Sequence, residues 1–180
     1  RRAGLAVAHL ESGLRSRSFR DPFPEELIRV IVMRQADVAF APDDAAAANA
    51  ARIKDAGGNA ISIHANMGSR DDIERMVQIA VTKFDRLDIM VQNAWGAPTT
   101  RVSGSAVDVP EEGWNEGMAI MTKALFLGAK FVVPEMEKSG GGSIVNISSV
   151  HGLLMSPGAL VYETAKSAVN GMTRQMAIDF

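Results

Sequence analysis

The chain has 180 residues, 47% hydrophobic and 22% charged, the balance of one globular domain able to bury a core without staples. Nineteen basic against twenty-one acidic residues leave a net charge of −2, no basis for nucleic acid or an anionic membrane surface as partner. Zero cysteines exclude disulfides, thiol catalysis and cysteine-ligated metals, and no apolar run approaches the roughly 18 residues of a membrane span. The Arg-Arg start lacks the apolar stretch of a secretory leader, so a cytoplasmic enzyme or binding domain is expected.

Leu5–Leu10 reads as a short buried strand, followed by an Arg-rich loop as far as Pro24. Pro24 with Glu25 and Glu26 makes a helix start, because proline tolerates the first turn and carboxylates complement the positive dipole end. The helix is predicted to continue through Leu27, Ile28, Ile31 and Val32. Asp37–Ala41 predicts a second strand, and Asp43 and Asp44 cap an alanine-rich helix that stops before Gly57-Gly58.

The alternation then continues. Ala60–Ala65 is a strand, Ser69–Phe84 a helix with Ile73, Val77 and Ala80 on one face, and Leu87–Gln92 a strand whose near-continuous apolar character suits burial on both sides. A long helix is expected from about Pro110 to Met136, broken near Pro134, then a strand over Ser143–Ser148 and a final helix over Ala159–Phe180. Strands alternating with helices imply an α/β fold: a doubly wound, mostly parallel sheet of about five strands in a Rossmann-like three-layer sandwich.

Tyr162 and Lys166 stand four apart in a predicted helix, so both side chains share one face. A phenol is a poor acid or base at neutral pH, and a neighbouring ammonium favours its phenolate form. Ser149 lies thirteen positions before Tyr162, just past a predicted strand, where doubly wound folds bind ligands. A hydroxyl there can hydrogen-bond a substrate oxygen. His9, His64 and His151 are too scattered for a metal site, and His151 stands close enough to Ser149 to line a substrate pocket.

On these residues, with GGGSIVNISSVHG, VYETAK, LDIMVQNA and NGMTRQMAIDF, the stretch from about 45 to 180 resembles the short-chain dehydrogenase/reductases. The resemblance implies NAD- or NADP-linked hydride transfer between a small alcohol and a ketone. It makes Tyr162 the acid/base, Lys166 the group that tunes it and binds the nicotinamide ribose, and Ser149 the group that orients the substrate oxygen. It also implies that Asn93 supports the cofactor and the central sheet, that Asn66 stands where the family has an adenine-contacting Asp, and that the chain self-associates. Self-association would run through the last helix, with Met172 and Met176, and the segment Leu125–Phe131.

Three departures stand out. Met121 falls where the family has a catalytic Asn, seven residues after Trp114, and Trp95 replaces the glycine of the N-A-G motif. No T-G-x-x-x-G-x-G occurs, so the phosphate-cradling turn of a Rossmann fold is missing. Gly140–Gly142 precede a strand and read as a turn.

The first 45 residues look like another family. The first 35 carry seven arginines, no lysine and four acids, against twelve basic and seventeen acidic residues in the remainder. HLESGLRS, then PFPEE and AFAP, are similar to the non-hydrolysing UDP-N-acetylglucosamine 2-epimerases, in which glutamates at the positions of Glu11 and Glu25 act as acid/base carboxylates. The chain is therefore expected to join an epimerase-like segment (1–45) to a partial dehydrogenase domain (46–180), forming one compact unit. An oxidoreductase is the leading expectation. The alternatives are epimerase chemistry on Glu11 and Glu25, or a catalytically silent module pairing through the open strand edge after SIVNIS.

Overall fold

A computed structural model describes residues 3–11, 27–33, 43–95 and 102–180; side chains are described from residue 46 onward. Its elements are β1 (Ala3–Glu11), β2 (Leu27–Met33), α1 (Asp43–Asp55), β3 (Ala60–Ala65), α2 (Arg70–Phe84) and β4 (Ile89–Gln92). These lead into α3 (Glu111–Met118), a π-helical turn (Ala119–Lys123), α4 (Ala124–Lys138), β5 (Ser143–Asn146), a 3-10 turn (Val150–Gly152) and α5 (Leu160–Asp179).

From residue 43 the helices and strands follow the sequence reading. Ser69 caps α2, its hydroxyl accepting from the Asp72 N–H, and α2 ends at Asp85 in the left-handed region. Ile73, Met76, Val77, Ala80 and Phe84 form its buried stripe. They meet Ile63, Leu87, Met90, Leu127, Val132 and Met136 in the main core, each large side chain contributing about 1.5–3 kcal/mol by leaving water.

Leu27–Met33 is a strand, where the spacing of Leu27, Ile28, Ile31 and Val32 predicted a helix. Four of its seven residues (Ile28, Val30, Ile31, Val32) are β-branched, and that stiffness outweighs the helix start offered by Pro24-Glu25-Glu26. The expected strand Asp37–Ala41 lies outside the described residues. Pro134 does not break α4; it is exposed, as is Lys130 one turn earlier, whose carbonyl loses its helical partner to the proline. The helical run Glu111–Lys138 is long and apolar enough to cross a membrane by length and composition. In the fold, its Ala124, Leu125, Leu127, Gly128, Ala129, Val132 and Met136 are buried instead.

The five strands lie in the order β3-β1-β2-β4-β5. β2 pairs parallel with β4, and β4 parallel with β5, but β1 runs antiparallel to both β2 and β3. The sheet is thus mostly parallel with one reversed strand. Register fixes one line across it, Ile63–Leu5–Met33–Gln92–Asn146. Beyond that line lie the carboxyl ends of the four like-directed strands, and with them Asn66, Asn93 and Ser149.

Candidate active site

The chain leaving β5 turns back against α5, and a series of hydrogen bonds holds the two together. Lys166 Nζ donates to the Ile147 carbonyl (2.8 Å), and Ser148 Oγ to the Lys166 carbonyl (3.0 Å). Ser167 Oγ (3.3 Å) and Asn170 Nδ2 (3.2 Å) both donate to the Gly152 carbonyl. Gly152 is required for this approach: a Cβ there would stand 2.9 Å from the Lys166 carbonyl oxygen and 2.7 Å from Asn170 Nδ2. Lower down, buried Gln92 donates from Nε2 to the Leu125 carbonyl (3.1 Å) and to Asn146 Oδ1 (2.9 Å), and Asn146 Nδ2 donates to Thr173 Oγ1 (3.0 Å). Two strands and two helices are so bound beneath the site.

Tyr162 and Lys166 come together on this scaffold, and Ser149 joins them through His151. Lys166 is buried, and its ammonium lies 5.8 Å from the centroid of the Tyr162 ring, within cation–π range. Burial pushes the Lys166 pKa below its ordinary 10.5. Ser149 Oγ accepts from the His151 backbone N–H (3.2 Å), which leaves its own O–H to point elsewhere. The His151 ring meets Tyr162 edge-on, centroids 6.0 Å apart.

Glu163 joins the group, a residue the sequence reading passed over. Its side chain is buried, and Oε1 accepts from Ser156 N (2.7 Å) and Ser156 Oγ (2.8 Å) and contacts His151 Nδ1 (2.8 Å). Burial works to raise its pKa, but the hydrogen bonds from His151 and Ser156 outweigh that and hold it below its ordinary 4.5. The available signal was a carboxylate in the first turn of α5, close in sequence to Ser156.

Asn93 and Trp95 are exposed just past β4, on either side of buried Ala94. Asn66, after β3, is exposed and occupied with its own turn: Oδ1 accepts from Gly68 N (2.9 Å) and its N–H donates to Asp72 (2.8 Å). Met121 is buried in the π-helical turn and packs in one cluster with Val161, Ala165 and Tyr162. A thioether, with no hydrogen to donate, thus stands in the cluster against which the tyrosine packs. Glu11 ends β1 opposite Leu27, at the far edge of the sheet from Ser149, and Glu25 lies outside the described residues. Among the described residues no group of three or more histidines, cysteines, aspartates and glutamates is placed to hold a metal.

An α/β sheet of this order, with Asn93 and Ser149 past the carboxyl ends of its parallel strands, is the framework of a Rossmann-like domain. A family model described as short chain dehydrogenase matches residues 25–180, and the chain belongs to that family. It is 40% identical over 128 residues to an uncharacterized oxidoreductase of Thermotoga maritima, covering 71% of this chain and 49% of that protein. It is 43% identical over 114 residues to human dehydrogenase/reductase SDR family member 4, covering 63% of this chain and 40% of that one. The chain spans about half the length of the curated relatives it matches.

Among solved structures it is similar to a 7α-hydroxysteroid dehydrogenase complexed with NADH and 7-oxo glycochenodeoxycholic acid (TM-score 0.71, 26% identity, 82% of this chain and 54% of that one). It is also similar to acetoin dehydrogenase from Enterobacter cloacae (TM-score 0.70, 25% identity, 83% and 56%).

Proposed function

We propose that this chain carries the proton-transfer half of an NAD(P)-linked oxidoreductase site that interconverts a small alcohol and a ketone. The observation that carries the reading is the convergence of Ser149, Tyr162 and buried Lys166 where the segment after β5 docks on α5. Ser149, its oxygen already accepting from the backbone, donates its O–H to the substrate oxygen. Tyr162 gives that oxygen a proton in reduction and takes it back in oxidation. Lys166, fixed by the Ile147 carbonyl, stabilises the phenolate left behind.

The nicotinamide end of the cofactor fits these residues: Lys166 keeps further N–H donors for ribose hydroxyls, and Tyr162 and Asn93 stand at the same edge, with Asn66 on the adenine side. The diphosphate end does not fit. β2 holds the place beside β4 that the first strand holds in Rossmann order, yet the nine residues from Arg34 to Pro42 that lead on to α1 contain no glycine. When bound, NAD(P)H supplies hydride to the carbonyl carbon; the chain's own residues handle the proton.

Self-association through α4 and α5 and residence in the cytoplasm complete the proposal; exposed Phe126, Ile178 and Phe180 support the first. We further infer that the segment 1–45 and the domain 46–180 make one compact unit, since β1 lies between β2 and β3. Epimerase chemistry on Glu11 and Glu25 is not favoured, because the family match and the relatives above are dehydrogenases.

Incubation of a ketone with NADPH deuterated at its transferable position, followed by mass spectrometry of the alcohol, tests the proposal. Product from the wild type gains one deuterium, and Tyr162→Phe slows labelling by about 10²–10⁴-fold. Equal labelling by both proteins overturns it.

A further inference from the structure

A buried carboxylate needs a reason, because a charge removed from water is costly unless several donors meet it. Glu163 has three: Ser156 N, Ser156 Oγ and His151 Nδ1, all on one oxygen at 2.7–2.8 Å. Its lowered pKa keeps it ionised at neutral pH. An ionised carboxylate can only accept, so Nδ1 of His151 carries the hydrogen. That fixes the tautomer and leaves Nε2 as the free basic nitrogen. The His151 side chain remains 41% exposed, so the ring has access to solvent.

The same imidazole stands edge-on to Tyr162 and is tied through its backbone N–H to Ser149. Tyr162 also packs against the cluster of Met121, Val161 and Ala165, three side chains with no hydrogen to donate. Lys166 directs one N–H to the Ile147 carbonyl. Among these neighbours of Tyr162, the imidazole of the 3-10 turn is the group that can both donate and accept a proton.

We propose that His151, oriented by Glu163, exchanges protons between the Tyr162 hydroxyl and solvent through one bridging water; this rests on the reading of Tyr162 as the acid/base. In reduction the Tyr162 O–H bond breaks and the proton goes to the substrate oxygen. The phenolate then takes a proton from the bridging water, which takes one from Nε2–H of the His151 imidazolium. Neutral His151 keeps its Nδ1–H against Glu163 and regains the Nε2 proton from bulk water. Oxidation runs the same transfers backwards. Glu163 is the positioning residue of the pair.

The test compares wild type, His151→Ala and Tyr162→Phe by turnover with NADPH and a ketone, with and without added imidazole. His151→Ala is expected to lower kcat about tenfold or more, with KM for the ketone little changed, and imidazole to restore most of the loss. A merely structural His151 would not respond to imidazole. Unchanged kcat in His151→Ala, or a loss that imidazole leaves untouched, overturns the proposal while Tyr162→Phe remains inactive.

If Tyr162→Phe is as active as wild type, or the wild type shows no turnover, the parent reading falls and this one with it. A second arm needs no turnover. Long-range ¹⁵N–¹H NMR of the wild type is expected to show the Nδ1–H tautomer for His151, and the Nε2–H tautomer overturns the proposal.

Discussion

β4 and β5 lie parallel to β2, and the chain leaving β5 is hydrogen-bonded to Glu163, Lys166, Ser167 and Asn170 of α5; β1, two places away, runs against both its neighbours. Both regions build the same sheet. They differ in what they deliver to its edge. On the β4–β5 side, strand direction brings Asn93, Ser149 and the partners of Tyr162 to one rim. On the β1–β2 side, reversal sends Glu11 to the opposite rim, and the stretch after β2 has no glycine to let a diphosphate approach the backbone. A sheet asks for apolar, β-branched segments of suitable length; a site also asks for direction and for particular turn residues.

Substitutions on the two sides should differ accordingly. The largest effect is expected from Lys166→Met, which removes the cation beside Tyr162 and should lower turnover by about 10²-fold or more in a steady-state assay. Because Lys166 has a folded pKa depressed by burial, it penalises the fold while charged, and that penalty is relieved as pH rises from the folded value toward 10.5. Chemical denaturation across that range should show a rise in stability relative to Lys166→Met.

Gly152→Ala drives a Cβ against the Lys166 carbonyl and should cost up to about 3 kcal/mol, read as a lower denaturation midpoint together with lost turnover. For Glu163 the sign is that of a carboxylate with a lowered folded pKa: its contribution is present above 4.5 and lost as pH falls through the folded value. The advantage of wild type over Glu163→Gln should therefore narrow below pH 4.5 in acid titrations followed by circular dichroism. Asn146→Ala unties Gln92 from Thr173 and should cost about 1 kcal/mol in a denaturation curve. Glu11→Gln, across the sheet, should leave turnover unchanged; a loss there would break the contrast between the two sides.

Much of this was legible in the sequence where the signals are local. Asp43 onward alternates helix and strand with clear caps, and Ser149, Tyr162 and Lys166 lie in one short stretch whose spacing places them on neighbouring elements. Leu27–Met33 was misread because a short apolar run satisfies helical spacing and buried-strand continuity equally well. The reversal of β1 could not be read at all, since strand direction depends on the partner and not on the strand's own residues.

Glu163 and Gln92 were missed for a related reason. A carboxylate beside a tyrosine acquires meaning only when His151 and Ser156 fold onto it, and Gln92 only when Asn146, 54 residues away, becomes its partner. Met121 was recognised as a departure, but not the π-helical turn that carries it or the cluster it shares with Tyr162.

The most direct measurement is a fluorescence titration of the chain with NADPH. A rim that carries the proton machinery but lacks a glycine turn for the diphosphate should bind with Kd near about 1 mM or weaker, worth roughly −4 kcal/mol. A Kd near 1 μM, about −8 kcal/mol, would mean that residues 34–42 cradle the diphosphate without glycine, and would contradict the division between the two sides of the sheet.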